Sequence, residues 1–166
     1  MERFTGGCLC GNVRFAASGR PYRVGVCHCL DCRKHHGALF YAAAIFPEEA
    51  VTVEGETRAY AGRHFCPRCG SPVFARTGDE IEVNLGSLDA PDQLTPTYEC
   101  WTIRREAWLP PFPLAWRYER DRDAPGRQDP PGQQDPPGQP DAPVQPDAPV
   151  QQDAPGRQAA PGRQEK

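Results

Sequence analysis

Cys66-Pro67-Arg68-Cys69-Gly70 decides how the rest of this sequence is read. A Cys-x-x-Cys-Gly turn sets two sulfurs on one side of a tight loop. Its glycine permits the backbone conformation in which amides face the sulfurs and stabilise their charge, as in a zinc knuckle. Far upstream, Cys8-Leu9-Cys10 offers two more sulfurs at i, i+2, a spacing that places both on one side of an extended segment. Two and two make a closed four-cysteine site. Such a site ties the N-terminus to a distant turn and adds stability that a small core lacks.

Between these clusters lies Cys27-His28-Cys29-Leu30-Asp31-Cys32, which can supply three ligands to a second ion. Three protein ligands and one open position are the pattern of a working zinc site. Three thiolates on Zn²⁺ leave a formally anionic centre, a poor Lewis acid toward water but suited to binding and deprotonating a thiol. The expected fourth ligand is therefore a substrate sulfur. The competing readings are closure of this site by Cys100, His28, His35, His36 or His64, which would make it structural, or an iron–sulfur cluster; for the four-cysteine site the alternative is buried thiols without metal. Cys100, on a predicted strand beside Trp101, reads as a small buried side chain.

Composition sets the limits of the folded unit. The chain has 166 residues, and every Phe, Trp, Tyr, Leu and Ile lies at or before Tyr118. This predicts a zinc-binding domain over 1–118 and a disordered tail over 119–166, because the tail cannot bury enough apolar surface to offset its ordering entropy. From Ala124 the tail is a hexapeptide array with proline at the second position of each unit, running from Ala124-Pro-Gly-Arg-Gln-Asp129 to Ala160-Pro-Gly-Arg-Gln-Glu165. It lacks the apolar residues a β-helix stacks and the every-third glycine of collagen, so it reads as an extended spacer with polyproline-II bias.

The net charge of −3 and the absence of a basic stripe argue against a nucleic-acid partner. The N-terminal Met-Glu-Arg-Phe-Thr-Gly-Gly stretch carries no apolar run, so neither an export signal nor a membrane span is expected. A cytoplasmic location follows, where eight cysteines stay reduced and favour metal over disulfides.

Within the domain, alternation and β-branched content predict strands at 13–16, 24–26, 41–45, 51–53, 58–61, 73–75, 81–85 and 98–103. Ile81, Val83 and Leu85 alternating with Glu80, Glu82 and Asn84 form the clearest half-buried strand. A helical turn or two is expected after Cys32 and around Asp92–Leu94. The class is mainly β.

The stretches Gly6–Phe15, Cys27–Lys34 with Gly37, Phe65–Phe74 and Asn84–Asp89, in that order and spacing, resemble the glutathione-dependent formaldehyde-activating enzyme family, which includes centromere-protein-V-like members. The resemblance covers about 4–109. It implies an Mss4-like β-tent of short antiparallel sheets with two zinc ions, the structural one on Cys8, Cys10, Cys66 and Cys69 and the catalytic one on Cys27, Cys29 and Cys32. It also implies carbon–sulfur lyase chemistry that joins glutathione and formaldehyde reversibly as S-hydroxymethylglutathione.

The partners expected are thus a small thiol and an aldehyde, or their adduct. His28, His35 or His36 could relay the proton, since histidine titrates near neutrality. Arg33 and Lys34 could hold carboxylates of the thiol ligand. The alternative is a non-catalytic binding module with both metals structural, using an apolar patch around Trp101, Trp108, Trp116 and Pro110–Pro113.

Overall fold

The computed structural model describes residues 2–122; the hexapeptide array lies outside the described residues. Among the described residues, two sheets make up the fold. The smaller is antiparallel throughout, in the order β1 (Arg3–Gly7), β2 (Arg14–Ser18), β5 (Val51–Glu54). The larger runs β11 (Trp116–Arg117), β10 (Tyr98–Cys100), β3 (Arg23–Cys27), β4 (Tyr41–Pro47), β9 (Glu80–Asn84), β8 (Pro72–Thr77), β7 (Arg63–Phe65), β6 (Arg58–Tyr60). One helix, α1 (Leu30–His36), joins β3 to β4. No helix among the described residues is long and apolar enough to cross a membrane.

The main core fills the space between the small sheet and one face of the large one. Phe4 and Phe15 come from the first, and Phe46, Ile81 and Val83 from the second. Phe46, Ile81 and Val83 are completely buried, the last two as the alternation around Ile81 predicts, but the strand is more than half-buried: Asn84 on its polar face is buried as well, and Leu85 lies past its end. Each such side chain contributes about 1.5–3 kcal/mol. Phe4 tilts over Phe46 at 5.9 Å between ring centroids.

The other face of β4 carries a second, smaller cluster of Tyr41, Ala43 and Ile45, against which Cys27 and Cys32 pack. The pairing brings polar residues onto this face in rows across the strands. Arg23, Ile45, Glu82, Ala75 and Arg63 are successive partners across β3, β4, β9, β8 and β7. Cys100, Cys27 and Tyr41 form a second row across β10, β3 and β4.

Several local expectations are corrected. β1, β7 and β11 form where no strand is predicted. In β1 the glycines that lower strand propensity serve close packing, since a Cβ on Gly6 would lie 2.2 Å from the Ser87 carbonyl oxygen. No helix forms at Asp92–Leu94, a run of bends and irregular chain. The strand expected to reach Ile103 stops at Cys100, because Trp101 adopts a left-handed φ of 57°. β10 pairs parallel to both β3 and β11, so the large sheet is mixed rather than wholly antiparallel. The chain also stays bonded to the core beyond Tyr118: the Trp101 amide donates to the Arg120 carbonyl at 3.0 Å, and Arg122 is buried.

Candidate metal centres and the cavity beside them

The first cysteine cluster is built into the core. Cys8 follows β1 directly, and its carbonyl accepts from the Gly11 amide at 3.1 Å, so Cys8–Cys10 is a turn and not the extended segment its spacing suggests. The Cys66–Cys69 turn between β7 and β8 closes through the Gly70 amide on the Cys66 carbonyl at 2.9 Å, with Gly70 at φ 73°. All four sulfurs lie within 4.8 Å of one another. The Cys8–Cys10 and Cys10–Cys66 separations are 3.6 and 3.7 Å. A tetrahedron with metal–sulfur bonds of about 2.3 Å has edges of about 3.8 Å, so the sulfurs already stand as a tetrahedral thiolate site requires.

Local donors favour the charged sulfurs. The Val13 amide donates to Cys8 Sγ at 3.2 Å. Hydrogen bonds from the Ser71 hydroxyl and then its amide hold the Cys69 thiol down at about 5.

The second cluster faces the other side of the large sheet. Cys27 ends β3, Cys29 caps α1 by accepting from the Cys32 amide at 3.3 Å, and Cys32 lies in the first turn. Their sulfurs also lie within 4.8 Å of one another. Hydrogen bonds from Cys27 and then Cys32 hold the Cys29 thiol down at about 2, while Cys29, Cys32 and burial push Cys27 well up. Three soft donors converging in this way fit a thiophilic cation, which would let all three ionise.

Among the described residues no histidine, carboxylate or further cysteine joins this trio. Cys100 is the cross-strand partner of Cys27 and is buried, yet it lies outside the sulfur group. His64 is engaged elsewhere, its Nδ1 3.0 Å from the Thr57 hydroxyl and its ring stacked on Phe74.

The trio opens on a cavity of about 310 Å³. Its floor is the sheet face described above, with Tyr41, Arg23, Glu82 and Arg63; His35 and His36 stand at the helix side. A Cβ on Gly25 would meet the Tyr98 ring at 2.2 Å, so glycine is required where that ring covers β3. Tyr41 donates a long hydrogen bond to Glu82 Oε2 at 3.4 Å. Burial and then Glu82 hold the Tyr41 phenol well above its usual range, and burial also raises Glu82. Arg63 has an ion pair with Asp31 at 3.8 Å, a loose contact that leaves its charge at the trio's edge.

The profile of the family described as glutathione-dependent formaldehyde-activating enzyme matches residues 3–104. The chain belongs to this family. A Halomonas elongata protein provisionally named a glutathione-dependent formaldehyde-activating enzyme is 35% identical over 83 residues, 42% of this chain and 53% of that one. Proteins of Aspergillus flavus and Aspergillus oryzae with the same provisional name are each 31% identical over 99 residues, 52% of this chain and 51% of theirs. The chain thus spans about half the length of the curated relatives it matches. A Rhodobacter sphaeroides protein of known crystal structure aligns over 54% of this chain and 91% of its own, at 21% identity and a TM-score of 0.43.

In this member of the glutathione-dependent formaldehyde-activating family, helical geometry sorts the residues named from sequence. Cys29, Cys32, His35 and His36 line the cavity, whereas Leu30, Arg33, Lys34 and Gly37 line a separate shallow groove. A helix turns about 100° per residue, which sends the two sets to opposite sides. Arg33 pairs with Glu106 and donates to the Arg104 carbonyl at 2.8 Å.

His35 and His36 meet edge to face at 4.8 Å, and His36 stacks on Tyr41 at 4.4 Å. Burial, followed by Arg63, lowers His35; burial, followed by His35 and Arg63, takes His36 to about 4. His28, next to two cavity cysteines, turns its ring away from them and is fully buried with Nε2 3.0 Å from Glu99 Oε2. Tyr41, Glu82, Arg23 and Arg63 were missed. Periodicity within α1 could have set Arg33 and Lys34 aside, but the strand register that gathers the other four was not readable.

Proposed function

We propose that this chain is a carbon–sulfur lyase that adds a carboxylate-bearing thiol to a small aldehyde and reverses that addition, with glutathione and formaldehyde as the pair its family suggests. The observation that carries this reading is the three-cysteine cluster, unclosed by a fourth protein ligand among the described residues, at the wall of a basic cavity. Zinc is the ion that suits both clusters: Cys8, Cys10, Cys66 and Cys69 would hold a structural ion and Cys27, Cys29 and Cys32 a working one. When bound there, the working ion supplies Lewis acidity that lowers the pKa of an incoming thiol.

The reaction forms one S–C bond as the C=O π bond opens, takes the proton from the thiol and delivers one to the former carbonyl oxygen. Arg63, held only loosely by Asp31, offers the charge that orients a substrate carboxylate. Tyr41 keeps its proton on Oη throughout the neutral range and can turn it from Glu82 Oε2 to the developing alkoxide, after which solvent restores the proton. His35 is neutral near pH 7 and can accept the thiol proton and pass it toward solvent. The apolar flank of Tyr41, Ala43 and Ile45 limits water at the reacting atoms.

The direct test is to mix zinc-loaded protein with glutathione and formaldehyde and follow exchange between free thiol and hemithioacetal by NMR. Acceleration that Cys29→Ser abolishes supports the reading. An exchange rate equal to that of the buffer alone refutes it.

A further inference from the structure

We propose that Glu99 is the positioning residue of the three-cysteine site, acting through His28, and that Arg105 and Arg117 complete the device. The inference rests on metal binding by Cys27, Cys29 and Cys32 and is independent of which thiol or aldehyde is used.

His28 sits between two of the three sulfurs and is fully buried. Side chains alternate along an extended segment, so a ring held on one face sets the directions in which Cys27 and Cys29 leave the other. The His28 amide donates to the Cys100 carbonyl at 3.0 Å, which fixes the backbone. Phe112, nearly parallel at 6.2 Å, and Phe40, at 6.1 Å, pack against the ring as a pair whose own centroids are 5.0 Å apart. Among the described residues its one polar anchor is Glu99, because Nε2 is 3.0 Å from Glu99 Oε2 while the buried Nδ1 has no hydrogen-bond partner there.

Glu99 is itself completely buried. A carboxylate in that position is costly unless donors surround it. Arg105 Nη1 donates to Oε1 at 2.9 Å and Arg117 Nε to the same oxygen at 3.0 Å. With Oε1 taken by two guanidinium groups, Oε2 is left to accept from His28, and the carboxylate plane is set from both sides. A histidine nitrogen bonded to a carboxylate is a common support behind metal ligands; here the histidine neighbours the ligands in sequence instead of being one.

Position in the chain makes the case sharper. The family profile ends at residue 104, and both arginines lie past it. Arg117 is on β11, whose strand pairs with β10 beside Glu99, and Phe112 belongs to the connection between them. The segment from Arg105 to Arg117 therefore braces the metal loop and does more than trail from the sheet.

The test measures metal affinity in the full chain by competition with a zinc chelator, for wild type, Glu99→Gln and Arg117→Ala. Arg117 is partly exposed, so its variant keeps the fold accessible if Glu99→Gln does not fold. Two zinc ions per wild-type chain are expected, with the weaker one bound about 10–100-fold less tightly in Glu99→Gln and about tenfold less in Arg117→Ala, and the tighter one unchanged. The apo-protein gives a second readout: thiol reagents should label Cys29 several-fold faster in either variant. Unchanged affinity at the weaker site with a lowered melting temperature would overturn the proposal and leave Glu99 a core residue only. A wild type that binds one ion would instead remove the site itself and the reading on which the proposal rests.

Discussion

The two cysteine clusters use the same atom for opposite ends. Cys8, Cys10, Cys66 and Cys69 join two turns, with Cys10 and Cys66 standing 56 positions apart, and Cys8 and Cys66 sit in the main core with Phe4 and Phe46. Cys27, Cys29 and Cys32 come from one short run on a strand end and a helix start, and they look onto a cavity. Sequence separation is the physical difference. A cross-link over a long loop restricts the unfolded chain and so stabilises the fold, whereas three ligands within six residues fix little besides themselves. On the function proposed above, an ion at the second cluster, from which the fold gains least, is the one available for chemistry.

The largest effect that could break this contrast is loss of the fold. Cys66→Ser should leave three ligands where four are needed and abolish both metal binding and the dispersed NMR spectrum. Structural zinc contributes on the order of 10 kcal/mol, comparable with the stability of a whole small domain. A folded, two-metal Cys66→Ser protein would erase the distinction. Cys29→Ser should behave otherwise, retaining its spectrum and one ion while exchange of thiol and aldehyde falls to the background rate.

Smaller effects sharpen the picture of the open site. Tyr41→Phe removes only the hydroxyl and should lower kcat about 100-fold with KM nearly unchanged, the signature of a lost proton donor. Arg63→Ala should raise KM about tenfold for a carboxylate-bearing thiol and leave a neutral thiol such as 2-mercaptoethanol unaffected. Equal losses for both thiols would remove Arg63 from recognition.

The smallest effect concerns stability against pH. Burial holds Glu82 above the ordinary carboxyl value in the folded protein. Its contribution is therefore full below the unfolded pKa of roughly 4.3 and is lost as pH rises through the folded value. Glu82→Gln stays neutral throughout, so its melting temperature should match wild type in acid and exceed it by a few degrees at neutral pH. A constant offset at every pH would assign the difference to packing.

The same contrast explains what the sequence could disclose. Both clusters were legible because ligand spacing is a local property, and the strand at Ile81 and Val83 was legible because burial follows alternation. The cavity was not. Tyr41 stands beside Cys27, and Arg63 reaches the row of Glu82, only through register across five strands, which no local pattern encodes. The brace on His28 was hidden for a similar reason: its arginines, Arg105 and Arg117, stand on either side of the proline-rich stretch Pro110–Pro113, and β10 pairs in parallel with β3, far away in sequence. Arg33 and Lys34 drew attention by adjacency to Cys32, although a helix separates neighbours to different faces.

The central claim is that one site is closed by protein and the other is not. X-ray absorption on the zinc-loaded protein, before and after glutathione is added, counts the sulfurs around the metal directly. The account predicts that the mean sulfur number per zinc rises on adding the thiol, because the ion on Cys27, Cys29 and Cys32 gains a ligand. Four sulfurs on every zinc beforehand, with no change on addition, would contradict it.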